Sequence, residues 1–242
     1  FLAKREKNIA ALPGNDKKYN VENLAKHAPN VLNGKTILFL GSSVTYGAAS
    51  QAQSFVELFR DLDGVNAVKE AVSATTLTDK TSPFALLITG NGGSYISRMK
   101  RVRNKQFDCV VCQLSTNDAT MKMPLGEISP VTFLSGFDTK TVTGAIEYII
   151  SYCQDRWQCP VVFYTGSYYE SAEYSAMVKR LHELQDKWGI GIIDMYTDEA
   201  FNAIDKADYD LYMHDPIHPT KAGYVNWWFP KMEESLIRIM TE

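Results

Sequence analysis

The chain has 242 residues, of which 45% are hydrophobic, 12% aromatic and 22% charged, a globular composition that excludes intrinsic disorder and suits one generous domain or two cramped ones. With 25 Lys and Arg against 28 Asp and Glu, the net charge is −3 and the pI near 5.9, which argues against a partner such as a nucleic-acid backbone or an anionic membrane surface. Apolar runs such as ILFL fall far short of the ~18–20 residues a membrane span needs, and the polar opening FLAKREKNIAALPGNDKK lacks a secretory h-region.

Residues 1–34 read as a polar, loop-like extension, briefly helical around 21–27, packed on or beside the domain formed by residues 35–242. From there strands and helices alternate. Residues 35–40 (KTILFL) form a buried strand, 53–62 a helix and 66–72 a second, weaker strand. Residues 73–94, rich in Ser, Thr and Gly, read as a long loop, followed by a short helix over 95–102 and the clearest strand at 107–114. Val142, Ala145, Ile146, Ile149, Ile150 and Cys153 lay one apolar stripe along a helix. PVVFY at 160–164 is a fourth strand. Tyr174, Met177, Val178, Leu181, Leu184 and Trp188 stripe another helix that Gly189 ends, and IGIIDM at 190–195 is a fifth strand. The tail from Thr220 is helical, kinked or restarted at Pro230.

Apolar, non-alternating strands separated by helices indicate a parallel sheet covered on both faces. The expected fold is a single α/β domain: a three-layer α/β/α sandwich with a five-stranded, mainly parallel, doubly wound (flavodoxin-like) sheet and right-handed crossovers. In such sheets ligands bind beyond the carboxyl ends of the strands, so the residues after each strand come first for chemistry.

Four cysteines bear on compartment. A strand over FDCVVCQL points Cys109 and Cys112 to opposite faces, so they do not converge on a metal as a C-x-x-C clip must. Cys153 and Cys159 could bridge only in an oxidised protein. Free buried thiols fit a reducing compartment, so a cytoplasmic location is expected; the chain does not begin with Met, and export after trimming stays open.

After the first strand, GSSVTYG places Ser43 at the open edge of the sheet among main-chain N–H groups, as suits a nucleophile beside an oxyanion; a turn or a phosphate site are the competing readings. G-x-G-x-x-G is absent. The GKT at 34–36 precedes its strand and has Pro29 where a P-loop needs glycine, and Thr45 breaks the G-x-S-x-G elbow. After the third strand, Asn117 and Asp118 either fold back on the backbone or aim an amide at the oxyanion that faces Ser43. Of four histidines, His214 and His218 lie in YMHDPIHPTKAGY. There Asp215, stiffened by Pro216 and Pro219, could hold the His218 imidazole in one tautomer, or could simply cap the next helix.

Taken in order, these three segments resemble the SGNH (GDSL-type) hydrolase family, whose signature is G-D-S near the N-terminus, a glycine after the second strand, G-x-N-D after the third and D-x-x-H near the end. The resemblance spans about residues 35 to 224. It implies Ser43 as nucleophile, His218 as general base and Asp215 as its orienting acid, with the N–H groups of Ser43 and Ala74 and the Asn117 amide forming an oxyanion hole. Three positions depart from the pattern. Ala74 stands for the second-strand glycine and keeps the N–H, so that role survives unless glycine's φ range is required. Ser42 stands for the acidic residue before the nucleophile, and Ser115 for the glycine before Thr116.

The implied chemistry is acyl transfer through an acyl-Ser43 intermediate on a small-molecule ester, with no metal or organic cofactor. Tyr46, Tyr95, Tyr168, Tyr169, Trp227 and Trp228 fall in or near the site segments and could stack on a sugar or line an acyl pocket, though the Trp pair reads better as a helix anchor on the sheet. A small acyl group, such as acetyl, on a polar and possibly carbohydrate substrate is the expectation. A lysophospholipase or thioesterase of the same family, or a silent binding module on the same fold, are the alternatives. A flavodoxin-like nucleotide binder would leave Asp215 and His218 without a purpose. Oligomeric state is not readable from these residues.

Overall fold

A computed structural model describes residues 2–79 and 93–242, so the 80–92 part of the expected long loop lies outside the described residues. The N-terminal segment departs from expectation. It begins with a helix, α1 (Leu2–Ala10), and continues through 3-10 turns at Pro13–Asn15, Lys17–Tyr19 and Val21–Asn23. Ile9 is the one residue α1 buries, so no apolar stripe marks the helix in the sequence. Asn15 ties this segment down: its amide donates to the carbonyls of Ile9 and Ala49, and its oxygen accepts from the Lys221 N–H.

The alternating pattern from residue 36 onward is as expected. β1 (Thr36–Gly41) leads into a one-turn helix, α2 (Ser43–Tyr46), and then α3 (Phe55–Leu62), which starts at a Ser54/Glu57 capping box. β2 (Asn66–Ala71), α4 (Tyr95–Arg101), β3 (Cys109–Gln113) and the short α5 (Thr116–Thr120) follow. The two striped helices are α6 (Val142–Trp157) and α7 (Ala172–Trp188), on either side of β4 (Val161–Tyr164). Gly189, at φ +64°, ends α7 in the left-handed conformation that glycine adopts without a Cβ clash. β5 (Gly191–Ile193) precedes α8 (Glu199–Asn202) and α9 (Lys206–Tyr212). The tail comprises α10 (Lys221–Gly223), a π-helical turn at Tyr224–Trp228 and α11 (Phe229–Thr241), one continuous helical run in which Pro230 comes just after the π-helical turn.

All five strands run parallel in the order β2-β1-β3-β4-β5, with Leu38 of β1 opposite Val68 on one side and Val110 on the other. Alternate side chains divide the core in two. Leu38, Leu40, Val110, Cys112 and Phe163 pack with α4, α6 and α7; Ile37, Phe39, Cys109, Val111 and Val162 pack with α3 and α11. This is the expected three-layer sandwich. Cys109 and Cys112 do face opposite layers, and all four cysteines are buried and unbridged. Each fully buried Leu or Phe contributes about 1.5–3 kcal/mol from area removed from water, which is what holds the helices to the sheet.

From β1 the chain steps to β2 on one side, then crosses to β3 on the other. The loops leaving β1 and β3 therefore diverge and open a crevice at the carboxyl edge between adjacent strands.

Candidate active site

Ser43 is the first residue of α2, directly beyond β1, and is 8% exposed. Its turn is gripped from several sides. Gln113, the last residue of β3, accepts with Oε1 from the Ser42 N–H (2.9 Å), the Thr45 N–H (3.3 Å) and the Thr45 hydroxyl (2.9 Å). The Ser54 hydroxyl donates to Thr45 O at 2.7 Å, and the Tyr224 hydroxyl donates to Val44 O at 2.5 Å. Gly41 is required by close approach: a Cβ there would lie 1.9 Å from Thr45 Oγ1 and 2.8 Å from Gln113 Oε1. In the sequence the only signal of Gln113 is a polar residue closing an apolar strand.

The histidine arrives from far along the chain. Ser43 Oγ lies 2.8 Å from His218 Nε2, and His218 Nδ1 lies 2.8 and 2.9 Å from the two Asp215 oxygens. The Asp-x-x-His loop is built locally. Asp215 Oδ1 also accepts from the N–H groups of Ile217 and His218, the His214 N–H donates to His218 O, and Met213 bridges Pro219. Burial pushes the Asp215 carboxyl up, but the His218 ring and the two N–H donors outweigh it and hold it down at about 2. An ionised Asp215 accepts Nδ1–H, so Nε2 is the atom left to accept the Ser43 proton. His214 is exposed and contributes only backbone here. His27 bonds Asp63 and Glu233, and His182 bonds Asp194, so neither joins Ser43.

Ala74 lies in the turn after β2 with φ +66°. The left-handed conformation, which glycine occupies freely, is thus used here by a residue with a Cβ. Asn117, on α5, donates from Nδ2 to Thr75 O at 2.8 Å, placing its amide beside the Ala74 turn with a second N–H to spare. Among the described residues, the main-chain N–H groups of Ser43 and Ala74 have no acceptor. Asp118, fully buried, takes up the N–H groups of Leu77 and Thr78 and the Thr78 hydroxyl, pinning the segment that follows Ala74. Burial raises its pKa against those donors. Asp118 is therefore a long-range brace rather than the local turn residue its position suggests.

A cavity of about 10 Å³ is lined by Val44, Leu114, Thr116, Ser167, Tyr169 and Ile217 among others. Three of these are the immediate chain neighbours of Ser43, Asn117 and His218. Of the six aromatics near the site segments, Tyr95, Trp227 and Trp228 are buried in the layers, with Trp227 stacked on Phe201 at 4.9 Å. Tyr46 and Tyr168 are 43% and 55% exposed, with Lys69 Nζ 5.4 Å from the Tyr46 ring centre and the Tyr196 ring 5.3 Å from that of Tyr168.

The model of the GDSL-like lipase/acylhydrolase family matches residues 39–225. In fold the chain is similar to a Bacteroides ovatus protein assigned as a GDSL-like lipase, with TM-score 0.60 and 18% identity over 86% of this chain and 99% of that one. It is similar to the acetyl xylan esterase AlAXEase, with TM-score 0.59 and 16% identity over 83% and 99%. A family two carbohydrate esterase from Clostridium thermocellum, solved with cellohexaose, is also similar, with TM-score 0.55 and 17% identity over 86% of this chain and 63% of that one. No curated protein matches. Among the described residues no helix is long and apolar enough to cross a membrane.

Proposed function

This chain belongs to the GDSL-like lipase/acylhydrolase family, and from that premise we propose that it is a serine esterase removing a small acyl group, such as acetyl, from a polar and possibly carbohydrate alcohol. The observation that carries the reading is the unbroken chain of short contacts from Ser43 Oγ through His218 to Asp215, at 2.8 Å and then 2.8–2.9 Å. Ser43 Oγ attacks the ester carbonyl as its proton passes to His218 Nε2, and Asp215 stabilises the imidazolium. The oxyanion is received by the N–H groups of Ser43 and Ala74 and the free N–H of Asn117. Collapse breaks the bond to the alcohol oxygen, which leaves with the proton from Nε2. A water then gives a proton to His218, attacks the acyl-Ser43 carbonyl, and releases the acid and the free serine.

The small acyl group is supported by the likeness in fold to the acetyl xylan esterase and to the family two carbohydrate esterase. That likeness favours acetyl esters over lysophospholipid or fatty-acyl thioester substrates. Tyr46 and Tyr168, exposed in the segments that follow β1 and β4, suit stacking on a sugar ring. A fluorophosphonate probe tests the nucleophile, with labelling expected at Ser43 and abolished in Ser43→Ala. A panel of p-nitrophenyl esters of rising chain length, run beside acetylated sugars, tests the acyl preference. Intact Ser43 that resists the probe while the protein binds sugars would establish a binding module instead.

A further inference from the structure

Beneath the loops that carry Ala74 and Asn117 lies a cation with no part in the chemistry described so far. Arg98 of α4 is 0% exposed, and its guanidinium packs 5.2 Å from the centre of the Tyr95 ring. Nη2 donates to Gly41 O at 2.9 Å and to the Thr75 hydroxyl at 2.8 Å; Nη1 donates to Glu70 O at 2.5 Å; Nε donates to Gly93 O at 3.2 Å. Burial, with a smaller push from the Arg101 charge, depresses its pKa, and the groups it bonds are three carbonyls and a hydroxyl. What such a fork offers is reach: five N–H donors in one plane can hold several separate chain segments at once, which an ammonium cannot match.

The segments it gathers are the ones that frame the oxyanion position. Gly41 ends β1 two residues before Ser43, Glu70 lies at the end of β2, and Thr75 follows Ala74. Gly41 O also accepts from the Val72 N–H, so the exits of β1 and β2 meet at the guanidinium. The Thr75 hydroxyl passes the contact on, donating to Val72 O at 2.6 Å, while Thr75 O accepts the Asn117 amide at 2.8 Å. Between these anchors Ala74 is kept at φ +66°.

We infer that Arg98, acting through Thr75, is a positioning residue that holds the Ala74 N–H and the Asn117 amide in register with Ser43. The inference builds on the esterase reading, so the parent protein is first shown to label at Ser43 with the fluorophosphonate probe. Thr75→Val then removes the hydroxyl with little change of shape. Its kcat for p-nitrophenyl acetate is expected to fall on the order of ten- to hundredfold with KM within about twofold, as for a misplaced transition-state donor. Thr75→Ser, which restores the hydroxyl, is expected to recover most of that loss, and Arg98→Lys, which reaches fewer partners, to remain impaired. A labelled parent whose Thr75→Val variant keeps full kcat, with only a lowered melting temperature, would overturn the inference and leave the esterase intact. Should Thr75→Val fail to fold, Thr75→Ala is read by the same kcat-against-KM split.

Discussion

Replacing Ala74 by glycine tests the turn geometry through the sign of its effect. At φ +66° the Ala74 Cβ approaches its own backbone, a clash worth about 1–2 kcal/mol for an L-residue in the left-handed region. Glycine removes that clash, but its extra backbone freedom in the unfolded chain costs about 0.5–1 kcal/mol. The balance is a stabilisation of about 0–1.5 kcal/mol, and at ~2–4 °C per kcal/mol for a chain of this size the melting temperature should hold level or rise by up to about 6 °C. The main-chain N–H proposed to face the oxyanion is unchanged, so kcat for p-nitrophenyl acetate should stay within about threefold of the parent. Thermal unfolding followed by circular dichroism, paired with steady-state kinetics, reads both quantities. At an ordinary negative φ the same substitution would instead destabilise by about 0.5–1 kcal/mol. A fall in melting temperature would therefore refute the left-handed turn and the account of how this chain does without a glycine.

Ser43→Ala should lower turnover by on the order of 10⁶ and Asn117→Ala by about 10²–10³; equal small losses in both would refute the role assignment. Asp215→Asn should lower kcat by about 10⁴ at neutral pH, because the amide N–H donates to His218 Nδ1 and favours the tautomer whose Nε2 already carries a proton, and a loss under tenfold would remove Asp215 as the orienting group. Stability should decline as pH rises from about 4 to above 6.5. Burial and the neighbouring Glu233 raise the Asp63 carboxyl to about 6, and Glu233 and Asp63 raise His27 despite its own burial, so the folded state binds more protons in that window than the unfolded state. Asp215 works oppositely but lower down: held at about 2, it adds stability above the ordinary carboxylate value that is lost only as pH falls through about 2. Melting temperatures should therefore be higher at pH 5 than at pH 7.5, with the slope flattened in Asp63→Asn; a rise over the same interval would exclude this account.

The local half of the site was legible in the residues themselves. An apolar run such as KTILFL cannot bury both faces except inside a covered sheet, and the stripes of α6 and α7 cannot be satisfied except against one. Asp215 and His218 are three apart with a proline between them, and their contact closes within a single loop, so sequence proximity stood in for geometry. α1 is not legible in the sequence because a helix that buries only Ile9 has no apolar period to read. Other contacts connect residues too distant for any pattern. Ser43 and His218 are 175 positions apart and meet only because β1 is an interior strand and the tail returns over it. Gln113, Asp118 and Arg98 bond mainly to main-chain groups, and every residue carries those, so no residue type at any spacing reveals which N–H or carbonyl will be met. Ala74 makes the division plain. Its identity, and the N–H that comes with it, could be read from the chain, whereas its left-handed backbone is set by the surrounding turn, where long-range hydrogen bonds outweigh the preference of a single residue.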